Sequence, residues 1–138
     1  MRIQNSINIA APVARIWELT LAVETWPQHN PTMTSIERLD TGPLGIGSQA
    51  RVKQRGQRAR VWTVTALEPE KVFAWSTKSR GLTMTAIHTM RTSEIGTTNT
   101  LAIEIEGVLA SPIGALVRRP IARAISQENN GLKAAAER

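Results

Sequence analysis

The sequence predicts an α+β fold in which a curved, seven-stranded antiparallel sheet wraps a long C-terminal helix, with two short helices after the first strand. Three observations predict it. Apolar residues alternate along one early run, recur at helical spacing, alternate through six further runs, and return to helical spacing at the end. The connections between the six runs are too short for crossovers, so these strands must pair antiparallel. The third observation is a mismatch of widths. Seven strands make a sheet about 29 Å across, whereas one helix is about 10–12 Å wide, although 26 residues of it run about 39 Å. A twisted sheet that curls around the helix, with the short helices plugging one end, removes the mismatch. The space left between sheet and helix is then an apolar-walled cavity, the usual seat of a small molecule.

The elements follow in order. Ile3, Asn5, Ile7 and Ile9 alternate with Gln4, Ser6 and Asn8, the pattern of a half-buried strand. Pro12 suits the first position of a helix, along which Val13, Ile16, Trp17 and Thr20 recur. Val23 to Trp26 adds one more turn before Pro27 and Pro31. Strands are then expected over Thr34–Asp40, Ser48–Arg55, Arg58–Leu67, Val72–Lys78, Leu82–Arg91 and Thr98–Leu109, separated by Gly- and Pro-bearing turns. Leu82, Met84, Ala86, His88 and Met90 share the inward face of one of them; on Arg58–Leu67 both faces carry apolar residues, which leaves Trp62 unplaced. In the last segment Ile113, Val117, Ile121, Ala124, Leu132 and Ala135 form one stripe, with Arg118, Arg119, Asn129, Asn130 and Lys133 outside it. Ser111 and Pro112 read as its N-cap and first residue, and Pro120 should kink or divide it.

The 138 residues are read as a single domain, 1–138. A hydrophobic content of 41% excludes disordered and collagen-like chains. With no Cys and only His29 and His88, thiol chemistry, zinc ribbons and three-histidine metal sites are excluded, and neither metal nor cofactor is expected. The start, Met1 to Ser6, lacks a signal-peptide core and no transmembrane segment is visible, so a soluble, cytoplasmic protein is expected. The net charge of +6 is uneven: residues 41–67 contribute +5 through Arg51, Lys53, Arg55, Arg58 and Arg60 with no acid, and residues 111–138 contribute +3. Such a hairpin attracts anionic partners or simply solvates an outer strand face. The absence of Tyr and the single Phe argue against a nucleic-acid module.

Several stretches carry a resemblance. Ile9-Ala10-Ala11-Pro12-Val13-Ala14-Arg15-Ile16-Trp17 and Val23-Glu24-Thr25-Trp26-Pro27-Gln28-His29-Asn30-Pro31 come first, then Gly42-Pro43-Leu44-Gly45-Ile46-Gly47-Ser48. Val61-Trp62-Thr63-Val64-Thr65, Phe73-Ala74-Trp75, and Glu128 with Gly131-Leu132-Lys133 continue it. Together they resemble the START-like, Bet v 1-like (SRPBCC) proteins, specifically the polyketide cyclase/dehydrase group, over nearly the whole chain. The resemblance implies a helix-grip fold and binding of lipids, polyketides or other hydrophobic molecules; only some such proteins are enzymes. The group often has an acid where this chain has Ala22, and a second Trp where it has His29.

Glu128 is the sharpest candidate. By helical angle it falls near the centre of the apolar stripe, where an unpaired carboxylate costs several kcal/mol. It must be protonated, paired, or open to a wet cavity, and inward-facing His88 is the candidate partner. The two would serve as a polar anchor for a ligand, as acid–base groups in an aldol-type cyclisation, or as a buried polar pair. Asn5, the polar member of an inward Ile row, is a second ligand candidate, and Trp26 and His29 mark the expected cavity mouth. Phe73, Trp75, Met84 and Leu132 supply candidate wall surface. Gly45-Ile46-Gly47-Ser48-Gln49-Ala50 matches a loose dinucleotide pattern but opens a strand, and no Gly-x-Ser-x-Gly turn exists. The first reading is a binder of a small hydrophobic or aromatic molecule. A cyclase/dehydratase-type enzyme and an anionic-partner module are the alternatives. Ligand identity, turnover, and the choice between monomer and homodimer are not written in the residues.

Overall fold

The computed structural model describes all of residues 1–138. β1 (Arg2–Ile9) leads into α1 (Val13–Leu21) and a short 3-10 helix (Val23–Gln28). Six strands follow: β2 (Met33–Arg38), β3 (Gln49–Gln54), β4 (Arg60–Glu68), β5 (Val72–Ser79), β6 (Leu82–Ser93) and β7 (Gly96–Glu106); α2 (Ala110–Ala136) ends the chain. The strands form one antiparallel sheet in the order β1-β7-β6-β5-β4-β3-β2, so β1 and β2 are its two edges. The sheet curls around α2 as a half-barrel, the helix-grip arrangement expected from the widths.

Bulges help it curl. Between the pairs Val64↔Trp75 and Ala66↔Ala74 the register of β4 slips by one, leaving Thr65 as the extra residue. A slip of one residue reverses which parity faces inward. Trp62 and Val64 therefore point into the core ahead of the slip, and Leu67 packs against the same cluster beyond it. This is why both parities of β4 are apolar in the sequence. Trp62 is thereby placed: it is buried, facing α2.

The core is divided along the helix. Trp26 of the 3-10 helix packs with Trp62, Phe73 and Trp75 under β2–β5, while Ile9, Ile16, Met90, Leu132 and Ala136 join α1 to the C-terminal half of α2. In that half Ile125, Asn129, Leu132, Ala135 and Ala136 are buried; in the N-terminal half only Gly114 is. The helix is a rod seated at one end and standing off the sheet at the other.

Four expectations are corrected. Pro12 precedes α1 rather than opening it. β7 ends at Glu106, not Leu109, because Gly107 turns the chain at φ 117° against the Gly81 carbonyl. α2 then starts at Ala110 with Leu109 at the N-cap, so neither Ser111 nor Pro112 holds its assigned place; Pro112 still lies in the first turn, where a missing N–H is harmless. Asn129 is not on the polar side but fully buried, since β1, β7 and α1 grip a wider arc of the helix than the apolar stripe marks. Pro120 leaves α2 undivided: one helix runs through it, with no N–H for the Leu116 carbonyl. No helix is long and apolar enough to cross a membrane.

Candidate functional site

Where α2 stands off, a cavity of about 290 Å³ opens between helix and sheet. Trp62, Met84, Ile103 and Ile105 form its sheet wall, and Ile113, Val117, Ile121, Ala124 and Ile125 its helix wall. Gln57, Arg60, Ser79 and Pro120 stand at its rim, and Gln57, Ser79 and Pro120 are exposed. Glu128 is the one acid in the lining, and it also lines a second, much smaller chamber.

That chamber holds about 20 Å³, room for a single water. Around it are Thr20, Trp26, His29, Asn30, His88, Leu101, Glu128 and Leu132. A close approach of two backbones builds it. Gly131 packs so tightly against the turn after the 3-10 helix that a Cβ there would overlap the His29 carbonyl oxygen. That contact brings Glu128, nearly one helical turn earlier, to Asn30. The amide of Asn30, only 1% exposed, is oriented by Thr32, whose N–H (3.0 Å) and hydroxyl (2.8 Å) both donate to its Oδ1. Its Nδ2 makes no well-formed hydrogen bond and lies beside the Glu128 carboxyl. Neither ring nitrogen of His29 has a partner.

Burial sets the charges. It pushes the Glu128 carboxyl up to about 7, with the Asn30 side chain opposing the rise. Burial pulls His88 down to about 4, its ring lying 5.1 Å from that of Trp26 and 5.3 Å from that of Phe73. His29 is lowered too, by burial and then by the charge of Arg138. His88 Nε2 and Glu128 Oε1 are 4.0 Å apart, neighbours without a direct hydrogen bond. At neutral pH the pair is therefore a neutral imidazole beside a carboxyl close to half-protonated, rather than an ion pair. Such a carboxyl can donate to a carbonyl oxygen or accept from a hydroxyl.

The other candidates divide by location. Trp26, Phe73, Trp75 and His88 form one aromatic cluster, Trp26 and Trp75 being 5.2 Å apart edge to face. The Trp26 indole N–H is already taken by the Leu19 carbonyl at 3.1 Å. Met84 lines the large cavity, and His29 and Leu132 the small chamber. Asn5 lines neither. Asn129 Nδ2 donates to its Oδ1 at 2.8 Å, while Asn129 Oδ1 accepts from Asn99 Nδ2 at 2.8 Å. These three asparagines bolt α2 to β1 and β7 one residue beyond Glu128. Asn30 and Gly131 were missed as individuals. Their signals are an Asn-Pro-Thr turn and a glycine inside a long helix, which costs helix propensity unless something must come close. No group of three or more His, Cys, Asp or Glu side chains is arranged to hold a metal ion.

A curved sheet gripping a C-terminal helix over an apolar cavity defines the START-like, Bet v 1-like class. The family model described as polyketide cyclase/dehydrase and lipid transport matches residues 1–137, and the chain belongs to that family. Solved structures share the fold at low identity. A START superfamily protein from Mycobacterium smegmatis is 16% identical with a TM-score of 0.81, the match covering 99% of this chain and 97% of that one. A hypothetical protein from Helicobacter pylori is 12% identical with a TM-score of 0.83, over 99% and 88% of the two chains. Ara h 8.0201 is 12% identical with a TM-score of 0.78, over 99% and 97%. No functionally curated protein sequence matches the chain.

Proposed function

We propose that the protein binds a small, largely apolar molecule in the cavity beneath the N-terminal half of α2, with one oxygen of that molecule held at Glu128. The observation that carries this reading is an apolar cavity whose only acid is a half-buried carboxyl, close to half-protonated at neutral pH. Apolar transfer supplies affinity, about 0.8 kcal/mol per buried CH₂, and the carboxyl supplies orientation. The cavity's roughly 290 Å³ lies at the lower end of the range for ligand sites, about 300–1,000 Å³. One ring system or one short chain fits; a two-chain lipid does not. Native mass spectrometry of protein purified from its own host is expected to show a co-purifying small molecule. Repeatedly empty spectra, together with no uptake of an anilinonaphthalene probe, would overturn the reading.

A second reading is favoured by one observation: Glu128 faces both chambers and exchanges its proton close to neutrality. In a cyclase/dehydratase-type enzyme Glu128 would pass a proton to or from the ligand, and neutral His88 would accept through a water in the small chamber. Glu128→Gln and His88→Ala would then abolish turnover of the bound molecule while leaving its binding measurable. Unchanged turnover in both variants rejects this assignment.

A further inference from the structure

We propose that the mouth of the large cavity docks on an anionic lipid bilayer, with Val108, Leu109 and Leu116 entering its apolar boundary and the surrounding arginines meeting its headgroups. Three elements frame the mouth: the β3–β4 hairpin with Gln57 and Arg60, the β5–β6 turn between Ser79 and Leu82, and the first half of α2. The last two are one continuous surface. The Leu109 N–H donates to the Gly81 carbonyl at 3.1 Å, and a Cβ on Gly81 would lie 2.9 Å from the Leu109 side chain and 3.3 Å from that of Val108. Aliphatic side chains stand out from it: Val108 is 88% exposed, Leu116 80% and Leu109 41%. Val108 and Leu109 stand at the lip through the Gly81 turn, and Leu116 lies on α2 one residue before the lining Val117; apolar side chains so exposed mark an interaction surface.

The charge around them is predominantly positive, with Glu106 at the end of β7 the nearest acid. Arg55, Arg58 and Arg60 lie on the hairpin and Arg80 on the turn. Arg119 and Arg123 project from the same flank of α2 as Leu116, within about 60° of it at about 100° per residue. None of the six is in an ion pair, whereas Arg51, further along β3, is paired with Glu37. Residues 41–67, 71–93 and 107–127 contain no Asp or Glu. Of the hairpin's cations Arg60 lines the cavity, and Arg55 and Arg58 neighbour its lining residues Gln54 and Gln57 in the chain. A second copy of this chain would meet the patch with the same positive charge. A nucleic acid would leave the aliphatic tips in water, with no aromatic platform to receive its bases. An anionic bilayer satisfies both features, since each arginine near it strengthens attachment about fivefold and the aliphatic tips find a boundary region.

The test is co-sedimentation of the intact protein with vesicles of phosphatidylcholine alone or mixed with phosphatidylglycerol. Binding is expected only to the mixed vesicles, and to weaken between about 0.1 M and 1 M salt as the Debye length falls from about 10 Å to 3 Å. Val108→Asp with Leu116→Asp should lower the partition coefficient at least tenfold, and Arg58→Ser, Arg119→Ser and Arg123→Ser together about a hundredfold. All five positions are exposed, and circular dichroism checks that the fold is kept. Equal binding to both vesicles overturns the proposal. So does duplex DNA binding that the two aspartates leave intact, or a concentration-dependent dimer that they dissolve. The measurement needs no ligand: its failure leaves the cavity reading standing, and an empty cavity leaves the docking standing.

Discussion

Glu128 and His88 titrate in opposite senses for one reason: burial penalises whichever form is charged. Glu128 is raised from 4.5 to about 7, so it favours the folded state below pH 4.5 and loses that contribution as pH rises through 7. His88 is lowered from 6.5 to about 4, so its contribution is present above pH 6.5 and is lost as pH falls through 4. Between about 4.5 and 6.5 the folded and unfolded chains carry equal protons at these two sites, and their joint effect on stability is flat. Urea denaturation followed from pH 4 to 8 is expected to show this plateau for the pair, with a fall above about pH 6.5. In Glu128→Gln the fall above pH 6.5 should vanish and the plateau should become a rise on the order of 1–3 kcal/mol between about pH 4.5 and 6.5, because the His88 share is no longer offset; an unchanged profile would mean that the carboxyl reaches bulk water. His88 and Glu128 were legible in the sequence because periodicity places a polar residue on an apolar face. Their shifted titration was not, since it depends on depth and, for Glu128, on Asn30, whose orientation comes from a local turn.

At the scale of elements, the position of Glu128 depends on how α2 is held on either side of it. Gly131→Ala gains up to about 1 kcal/mol of helix propensity but places a methyl on the His29 carbonyl, a backbone group that cannot swing aside. The variant should lose about 1–3 kcal/mol net, as overpacked sites do, and the Glu128 titration should move back toward the ordinary carboxylate range as the helix lifts. A rise in the urea midpoint would sink this account. Asn129→Leu tests the other hold. It leaves Asn99 Nδ2 and the Asn5 oxygens without their partner, a cost of about 1–3 kcal/mol for each buried group left unpaired. These dependences explain what was legible. Strand limits were mostly readable from alternation and turn residues. Asn129 was misread because helical angle alone does not report how much of a helix is gripped. Trp62 was unplaceable because one extra residue, Thr65, changes the inward parity of β4 midway.

For the whole molecule, the order of elements in the sequence already demands a curved sheet: one helix is too narrow to cover seven strands. Element widths alone do not locate the gap. It lies under the first half of α2, where half-buried Ile113, Val117, Ile121 and Ala124 face Trp62, Met84 and Ile103 without reaching them closely enough to exclude a ligand. An unfilled apolar space lowers stability by the contacts its walls forgo, so filling it from within should separate folding from binding. Ala124→Phe projects a ring into the cavity, whereas Ala122→Phe on the exposed side of the same helix is its control. The first variant should be as stable as the parent or gain about 1 kcal/mol, in line with the burial of apolar area, and should no longer carry the small molecule seen by native mass spectrometry. The control should keep it. Loss of stability with ligand retained would mean that the helix moves aside for the ring, and that the binding site is elsewhere.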